Sequence, residues 1–305
     1  MMVLAPGTRY VDLQFRGAPQ IIATAVLDRA GQVALIDPGP TRTLPALTEG
    51  LARGGIALAD IDAILLTHIH LDHAGATGTL VAAHPRIRVH VHERGATHLV
   101  DPTKLLSSAT RLYGNQMDAL WGPFLPVPAS QVTAISGGET IRAGGRAIEV
   151  AYTPGHASHH VSYFDRESGL AFVGDVAGVR VPPTSYVLPP TPPPDIDVAA
   201  WEASADRVLG WHPNGLFLTH FGLVSTPGPH FEELRRRLRE LTEIARRAVT
   251  SGEAEDAQQR RFIAEMTAEM TGEIGEEMVK RYTLAVPPDQ CWQGLARYWK
   301  KRLEA

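Results

Sequence analysis

The chain has 305 residues, of which 29 are Lys or Arg and 33 are Asp or Glu, so its formal net charge is −4. A hydrophobic share of 44% fits a folded protein with one large domain. The near-neutral charge predicts no nucleic-acid or membrane partner. The single cysteine excludes an internal disulfide and a thiolate metal cluster. The first residues lack the pattern of a secretory signal, so we expect a cytoplasmic location.

The first 180 residues or so predict a sheet-rich α/β protein, because short β-branched runs alternate with turn signals. A hairpin turn is expected at 28–31, and helical periodicity covers 43–53 and 103–120. The expected strands are 21–26, 33–36, 63–66, 87–91, 148–152, 161–164, 170–173 and 216–218.

Residues 182–194 include seven prolines, which exclude a helix or a central strand and favour a stiff, extended loop. Such a loop either walls a binding pocket or only connects two elements. From residue 229 onward, apolar residues recur every three or four positions among Arg and Glu, which predicts amphipathic helices. We therefore divide the chain into a catalytic domain, 1–228, and a C-terminal helical extension, 229–305.

The sequence Thr-His-Ile-His-Leu-Asp-His occupies residues 67–73, directly after an apolar strand. Positions two apart on a strand end point the same way, so His68 and His70 are placed to hold one metal ion. The chain then turns and offers Asp72 and His73 in another direction, where a second ion would be held.

Three more potential ligands follow apolar strands in the same manner. His156 lies in Thr-Pro-Gly-His at 153–156, Asp175 in Gly-Asp at 174–175, and His220 in Thr-His at 219–220. If the strands share one sheet edge, their ends converge and the side chains form a site on rigid elements.

These strings, in this order and over residues 20–225 or so, resemble the metallo-β-lactamase superfamily, nearest in pattern to its glyoxalase II and lactonase branches. The resemblance implies a four-layer αββα sandwich. It also implies that one metal is held by His68, His70 and His156, that a second is held by Asp72, His73 and His220, and that Asp175 bridges them. Asp37 and His160 would support these ligands from behind. The remaining seven histidines have no assigned role, although His159 is adjacent to the site in sequence.

Imidazole and carboxylate ligands without thiolate suit two divalent ions, with zinc expected first and iron or manganese also compatible. Two neighbouring ions lower the pKa of a shared water and supply a bridging hydroxide at neutral pH, so hydrolysis is the expected chemistry. Asp175 would position this nucleophile and Asp72 would accept its proton.

The expected activity is hydrolysis of a small-molecule ester, lactone or thioester. A tyrosine after the bridging aspartate is a feature of the lactonase branch, and Tyr186 is the nearest candidate. The residues after Asp175 differ from the glyoxalase II pattern. The alternative is a mononuclear iron dioxygenase acting on persulfides, which shares the first motif; a phosphodiesterase or nuclease, a lactamase and a non-enzymatic binding module rank lower.

We expect the predicted helix 103–120 and the C-terminal helices to cap the pocket and set specificity. The apolar candidates for the pocket wall are Tyr113, Met117, Trp121 and Phe124. Packing into the protein core is the alternative for these four side chains. The Met-rich and Trp-rich faces of the extension would otherwise be buried in a homodimer.

Overall fold

The computed structural model describes residues 1–304 and contains two β-sheets and eleven α-helices. The first sheet has the strand order β1-β2-β3-β4-β5-β6-β7. Its strands are Met2–Ala5, Thr8–Asp12, Ala23–Arg29, Gln32–Ile36, Ile61–Leu65, Arg88–His92 and Val132–Ile135. The first four strands are paired antiparallel and β4 to β7 run parallel.

The second sheet has the order β13-β12-β11-β10-β9-β8. Its strands are Thr140–Ala143 (β8), Arg146–Tyr152 (β9), Val161–Asp165 (β10), Leu170–Phe172 (β11), Gly215–Leu218 (β12) and Gly222–Val224 (β13). Only β11 and β12 are parallel, and the other neighbours are antiparallel.

Seven helices precede the C-terminal extension and four form it. The seven are Leu44–Arg53 (α1), Leu71–Ala74 (α2), Thr77–Ala83 (α3), Glu93–Val100 (α4), Thr103–Tyr113 (α5), Met117–Trp121 (α6) and Val198–Leu209 (α7). The last four are Pro227–Val249 (α8), Glu255–Ile274 (α9), Glu276–Ala285 (α10) and Pro288–Leu303 (α11). Among residues 1–304, no helix combines the length and apolar character needed to cross a membrane.

Three apolar clusters show the four layers of an αββα sandwich. The central cluster joins the facing sides of the two sheets, as with Leu27 and Leu65 of the first sheet and Tyr163 of the second. A second cluster packs α1, α3 and α4 on the outer face of the first sheet. The third packs α7 and the C-terminal helices on the outer face of the second. The expected fold class is therefore confirmed, since alternate residues of each strand enter different layers.

The C-terminal helices share one core with the second sheet. Phe231 and Leu234 of α8 and Met266 of α9 lie in the same cluster as Leu216 of β12. Met266, Met270 and Trp292 are almost fully buried within the chain, so the Met-rich and Trp-rich faces provide no argument for a homodimer. The dimer and the domain boundary at 228/229 stay predictions.

The secondary structure differs from expectation in several places. The expected helix 103–120 ends at Tyr113, because Gly114 has a φ of +52°, and a short turn separates it from α6. The expected strand 21–26 begins two residues later, at Ala23, while the short strands β1, β2, β7, β8 and β13 were not anticipated. Helices α2, α3, α4 and α7 were also missed. The hairpin between β3 and β4 is confirmed.

Candidate metal centre

The first group of potential ligands is formed by three histidines whose ring nitrogens converge. His68 Nε2 lies 3.0 Å from His70 Nδ1, and His156 Nε2 lies 2.9 Å from the same atom. His68 and His70 follow β5, whereas His156 follows β9 of the other sheet. The site is therefore built where the ends of strands from both sheets meet, whereas the sequence predicted one shared sheet edge.

The second group contains Asp72, His73 and His220. Asp72 Oδ2 lies 3.7 Å from His73 Nε2 and 3.3 Å from His220 Nε2. Asp72 and His73 lie on α2, the single turn of helix that follows the first motif, and His220 follows β12. The change of direction expected after His70 is thus produced by a helix.

Asp175 lies between the two groups and offers one carboxylate oxygen to each. Its Oδ2 atom is 3.3 Å from His156 Nε2 in the first group. Its Oδ1 atom is 3.2 Å from His73 Nε2 and 3.6 Å from His220 Nε2 in the second. This is the arrangement required of a carboxylate that bridges two ions.

Four of the five candidate histidine ligands have a partner for Nδ1, which leaves Nε2 free to face the centre. His156 Nδ1 donates to the Pro190 carbonyl and His220 Nδ1 to the Ile21 carbonyl, both at 2.8 Å. His68 Nδ1 is 3.1 Å from the Thr67 hydroxyl. Such contacts fix both the tautomer and the ring orientation of a metal ligand.

The fourth partner, Asp37, is a buried hub behind the centre. Its Oδ2 atom accepts hydrogen bonds from His73 Nδ1 at 2.8 Å, the Thr67 hydroxyl at 2.7 Å and the Thr219 hydroxyl at 2.9 Å. One carboxylate therefore connects the chain next to His68 with the chain next to His220. This position fits the supporting role expected for Asp37.

His160, the other predicted supporting residue, lies behind Asp175. Its Nδ1 atom is 2.9 Å from the Thr153 hydroxyl, and its Nε2 atom accepts the backbone N–H of Asp175 at 3.3 Å. Burial lowers the pKa of His160 well below its usual value, and nearby His156 lowers it further. The neutral ring thus has an acceptor available to orient the turn that carries Asp175.

The side chains of the two ligand groups differ in the direction of their pKa shifts. Burial lowers the pKa of His70 to about 3, with the adjacent His156 contributing. Burial opposes the charged form of His73 too, but the Asp175, Asp72 and Asp37 carboxylates together raise its pKa well above the usual value. Burial acts to raise the pKa of Asp72, but His73 and His220 outweigh it and hold the pKa below its usual value. The carboxylates around His73 therefore stabilise positive charge in the second ligand group.

Two buried atoms of the site lack hydrogen bonds, and this observation supports metal binding independently of the residue types. His73 Nε2 and Asp175 Oδ1 are buried and make no hydrogen bond of acceptable geometry. Unpaired buried polar atoms are costly unless something else contacts them, and a cation between them would do so. The three ligand groups His68/His70/His156, His68/His73/Asp175 and Asp72/His73/His220 each have their potential ligand atoms within 4.8 Å of one another.

A cavity of about 310 Å³ opens directly above the centre. Its floor includes His70, Asp72, His156 and Asp175. Its walls come from α4, α5, the proline-rich loop and the junction of α10 with α11. The proline-rich segment thus walls a pocket, and the expectation that the 103–120 region and the C-terminal helices cap it agrees with these walls.

Tyr113 alone of the five expected pocket residues lines this cavity. Tyr186 is a correction: its ring is packed 4.1 Å from the Arg237 guanidinium and against Tyr282, on the side of the C-terminal helices. Met117 and Phe124 pack into the core of the first sheet instead, and Trp121 lines a smaller, neighbouring cavity.

Several cavity residues were not anticipated. Arg94 and His98 of α4, Lys104 of α5 and Gln290 of α11 line it, and no local motif marks any of them. His159, left without a role, also lines the cavity, and burial lowers its pKa to about 3. Its position three residues after His156 was the one available signal.

The fold and the centre define a class: α/β sandwich proteins with a histidine- and carboxylate-lined metal site at the strand ends. A family model described as the metallo-beta-lactamase superfamily matches residues 18–221, and the chain belongs to this superfamily.

Two curated relatives and one solved structure illustrate the similarity. A metallo-beta-lactamase fold-containing protein of Sulfurisphaera tokodaii is 29% identical over 210 residues, or 68% of this chain and 75% of the relative. A hydroxyacylglutathione hydrolase of a Synechococcus strain is 32% identical over 142 residues, 47% of this chain and 42% of that enzyme. The crystal structure of a metallo-beta-lactamase family protein from Thermus thermophilus superposes with a TM-score of 0.69 at 21% identity, covering 98% of this chain and 95% of that one.

Proposed function

We propose that the protein is a binuclear metal-dependent hydrolase of small esters, lactones or thioesters. The observation that carries this proposal is the position of Asp175, whose two oxygens face different ligand groups at 3.2 to 3.6 Å. A mononuclear site would require only one of these groups to be complete. Zinc is the metal we propose for both positions, on the basis of the imidazole and carboxylate ligands.

The bound metals would polarise the scissile carbonyl and lower the pKa of the attacking water. The first ion would be held by His68, His70 and His156, and the second by Asp72, His73 and His220. Asp175 would contact both ions. Asp72, whose side chain is 20% exposed against 5% for Asp175, lies at the cavity surface, where it would accept the proton of a water positioned by Asp175.

The cavity supports an acyl compound as the substrate. Its exposed lining is mostly apolar, with Leu105 and Ala109 of α5, Val286 and the proline-rich loop beside the charged side chains of α4 and α5. Hydrolysis joins the water oxygen to the acyl carbon, breaks its bond to oxygen or sulfur, and returns a proton to the leaving group. The hydroxyacylglutathione hydrolase similarity supports including thioesters in this class.

Metal analysis combined with a substrate panel tests the proposal. Two zinc ions per chain, hydrolysis within a panel of esters, lactones and thioesters, and its loss in His68→Ala are the expected results. His84→Ala, which changes a histidine outside the centre, is the matched control. Full activity after exhaustive chelation would contradict the proposal, and one iron per chain with oxygen consumption would instead indicate the persulfide dioxygenase.

A further inference from the structure

A second cavity borders Asp72, one of the candidate metal ligands. It has a volume of about 180 Å³ and lies between the turn at Phe15–Gly17, α6 and the start of α11. Asp72, a member of the second ligand group, belongs to the lining of both cavities. The two cavities also share Leu112, Tyr113, Ala285, Pro287 and Gln290.

Tyr113 and Gln290 are joined by a hydrogen bond at the boundary between the cavities. The Tyr113 hydroxyl donates to Gln290 Oε1 at 3.2 Å, which connects α5 to α11 across 177 residues of sequence. The Tyr113 ring packs edge-on against Trp121 with centroids 5.0 Å apart, and Trp121 stacks on Phe15. The ring is therefore held from the side of the smaller cavity, and its hydroxyl is held from the C-terminal extension.

The two cavities differ in chemistry. The exposed lining of the larger one is mostly apolar, although Arg94, His98 and Lys104 also contribute to it. The exposed lining of the smaller one is mostly polar, with Arg16, Gln116 and Asp289 beside apolar residues such as Leu120 and Leu284. Arg16 has a φ of +56°, a conformation that costs a non-glycine residue free energy and is frequent at ligand sites.

We propose that the Tyr113–Gln290 pair divides the substrate of this enzyme between the two cavities, with an apolar acyl chain in the larger one and a small polar leaving group in the smaller one. The assignment of the two arms rests on the proposed hydrolase function, because a scissile bond must lie at the metal centre. The division itself rests on the shared lining and on the Tyr113 ring, which packs against Trp121 at the boundary. Tyr113 and Gln290 are then specificity-determining residues that limit the length of the acyl chain.

Binding of straight-chain carboxylates from butanoate to dodecanoate tests this without requiring turnover. The zinc-loaded wild-type protein is titrated by calorimetry, since a carboxylate is the acyl product of any such hydrolysis. Affinity should rise about fourfold per added methylene, as burial of apolar surface dictates, and then level off when the larger cavity is full.

Tyr113→Ala removes the boundary, so the rise in affinity should continue for at least two more methylenes. Tyr113→Phe keeps the ring and is the matched control; it should level off where the wild type does. Gln290→Ala opens the boundary from the other side and replaces Tyr113→Ala if that variant does not fold. The proposal would be overturned if the affinity levelled off at the same chain length in the wild type and the opened variant. It would also be overturned if the affinity of the wild type did not depend on chain length.

The same samples separate this inference from the proposed function. Hydrolysis of the substrate panel is measured on each variant beside the calorimetry. A wild-type protein that binds carboxylates with the expected length limit but hydrolyses nothing would contradict the hydrolase function and leave the two-cavity division standing. If the wild type hydrolyses the panel but the wild type and Tyr113→Ala have the same length limit, the hydrolase function would stand and the two-cavity division would be contradicted.

Discussion

The Asp37 carboxylate lies 2.8 Å from Nδ1 of His73, with both side chains fully buried. Because Asp37 Oδ2 also accepts the Thr67 and Thr219 hydroxyls, it fixes the orientation of one ligand and the backbone next to two others. The ligand geometry therefore depends on a residue that is not itself a proposed ligand.

Replacing Asp37 with Asn should weaken zinc binding about 10- to 100-fold, as expected when a partner behind a metal ligand is lost. Asparagine keeps the shape and tolerates the φ of +52° at this position, but its single acceptor oxygen cannot replace both Asp37 Oδ1, which accepts the Thr67 N–H, and Oδ2, which accepts from His73. Competition against a chromophoric chelator measures the affinity. Asp206→Asn, at a carboxylate that is 72% exposed, is the control, and equal affinities in the two variants would contradict the role of Asp37.

The two ligand groups predict different metal stoichiometries for single variants. His220→Ala removes a ligand from the second group alone, so the purified variant should retain about one zinc per chain. Asp175→Ala should lower the affinity at both positions, because each carboxylate oxygen faces one group. Elemental analysis after dialysis at fixed free zinc gives the counts. Two zinc ions retained by Asp175→Ala would exclude a bridging carboxylate.

Gly155→Ala should destabilise the protein by about 2 to 4 kcal/mol, in the range for a strained backbone combined with overpacking. Gly155 has a φ of +140°, and a Cβ atom there would lie 2.4 Å from the Cα atom of Trp201. Gly228→Ala is the control, because its Cβ would meet nothing within 4 Å. Urea unfolding measures both, and a similar free energy of unfolding for the two variants would argue against the close packing beside His156.

The buried His230 should lower the free energy of unfolding as the pH falls. Burial lowers its pKa to about 4 in the folded state, whereas 6.5 is its usual value, and its Nε2 atom lies 2.7 Å from the Ala177 carbonyl. Between these two values the unfolded chain binds a proton that the folded chain does not, so the contribution is complete above pH 6.5 and is lost as the pH falls toward 4.

His230→Gln should therefore reduce the acid sensitivity of folding. Between pH 7 and pH 4 the metal-free wild type should lose up to about 3 kcal/mol more free energy of unfolding than the variant, from about 1.4 kcal/mol per pKa unit. Urea titrations at half-unit pH steps give this difference. Parallel curves for the two proteins would show that His230 does not carry the effect.

Four of the candidate ligands could be located from sequence because each follows an apolar strand. A strand end fixes where the next side chain lies, and this local rule placed His68, His156, Asp175 and His220. Asp72 and His73 were expected to point elsewhere than His70, which the single turn of α2 achieves. The signal came from residue type and strand order together.

The cavity walls were less predictable because they depend on contacts between distant segments. Tyr186 was chosen for its closeness in sequence to Asp175, yet its ring packs against Arg237 of α8. Gln290 contacts Tyr113 across 177 residues of sequence, and no periodicity indicates that contact. Gly114 was visible as a helix breaker, but helical spacing on both sides of it favoured one continuous helix.

The hydrogen bond from His156 to the Pro190 carbonyl limits which parts of the cavity wall can be mutated to change the substrate range. The same proline-rich loop that walls the larger cavity also orients a proposed metal ligand, so reshaping that wall would disturb the metal site. The α5 and α11 walls have no corresponding bond to a histidine ligand among residues 1–304. A mutational library intended to broaden substrate range should therefore vary α5 and α11 and leave the loop around Pro190 intact.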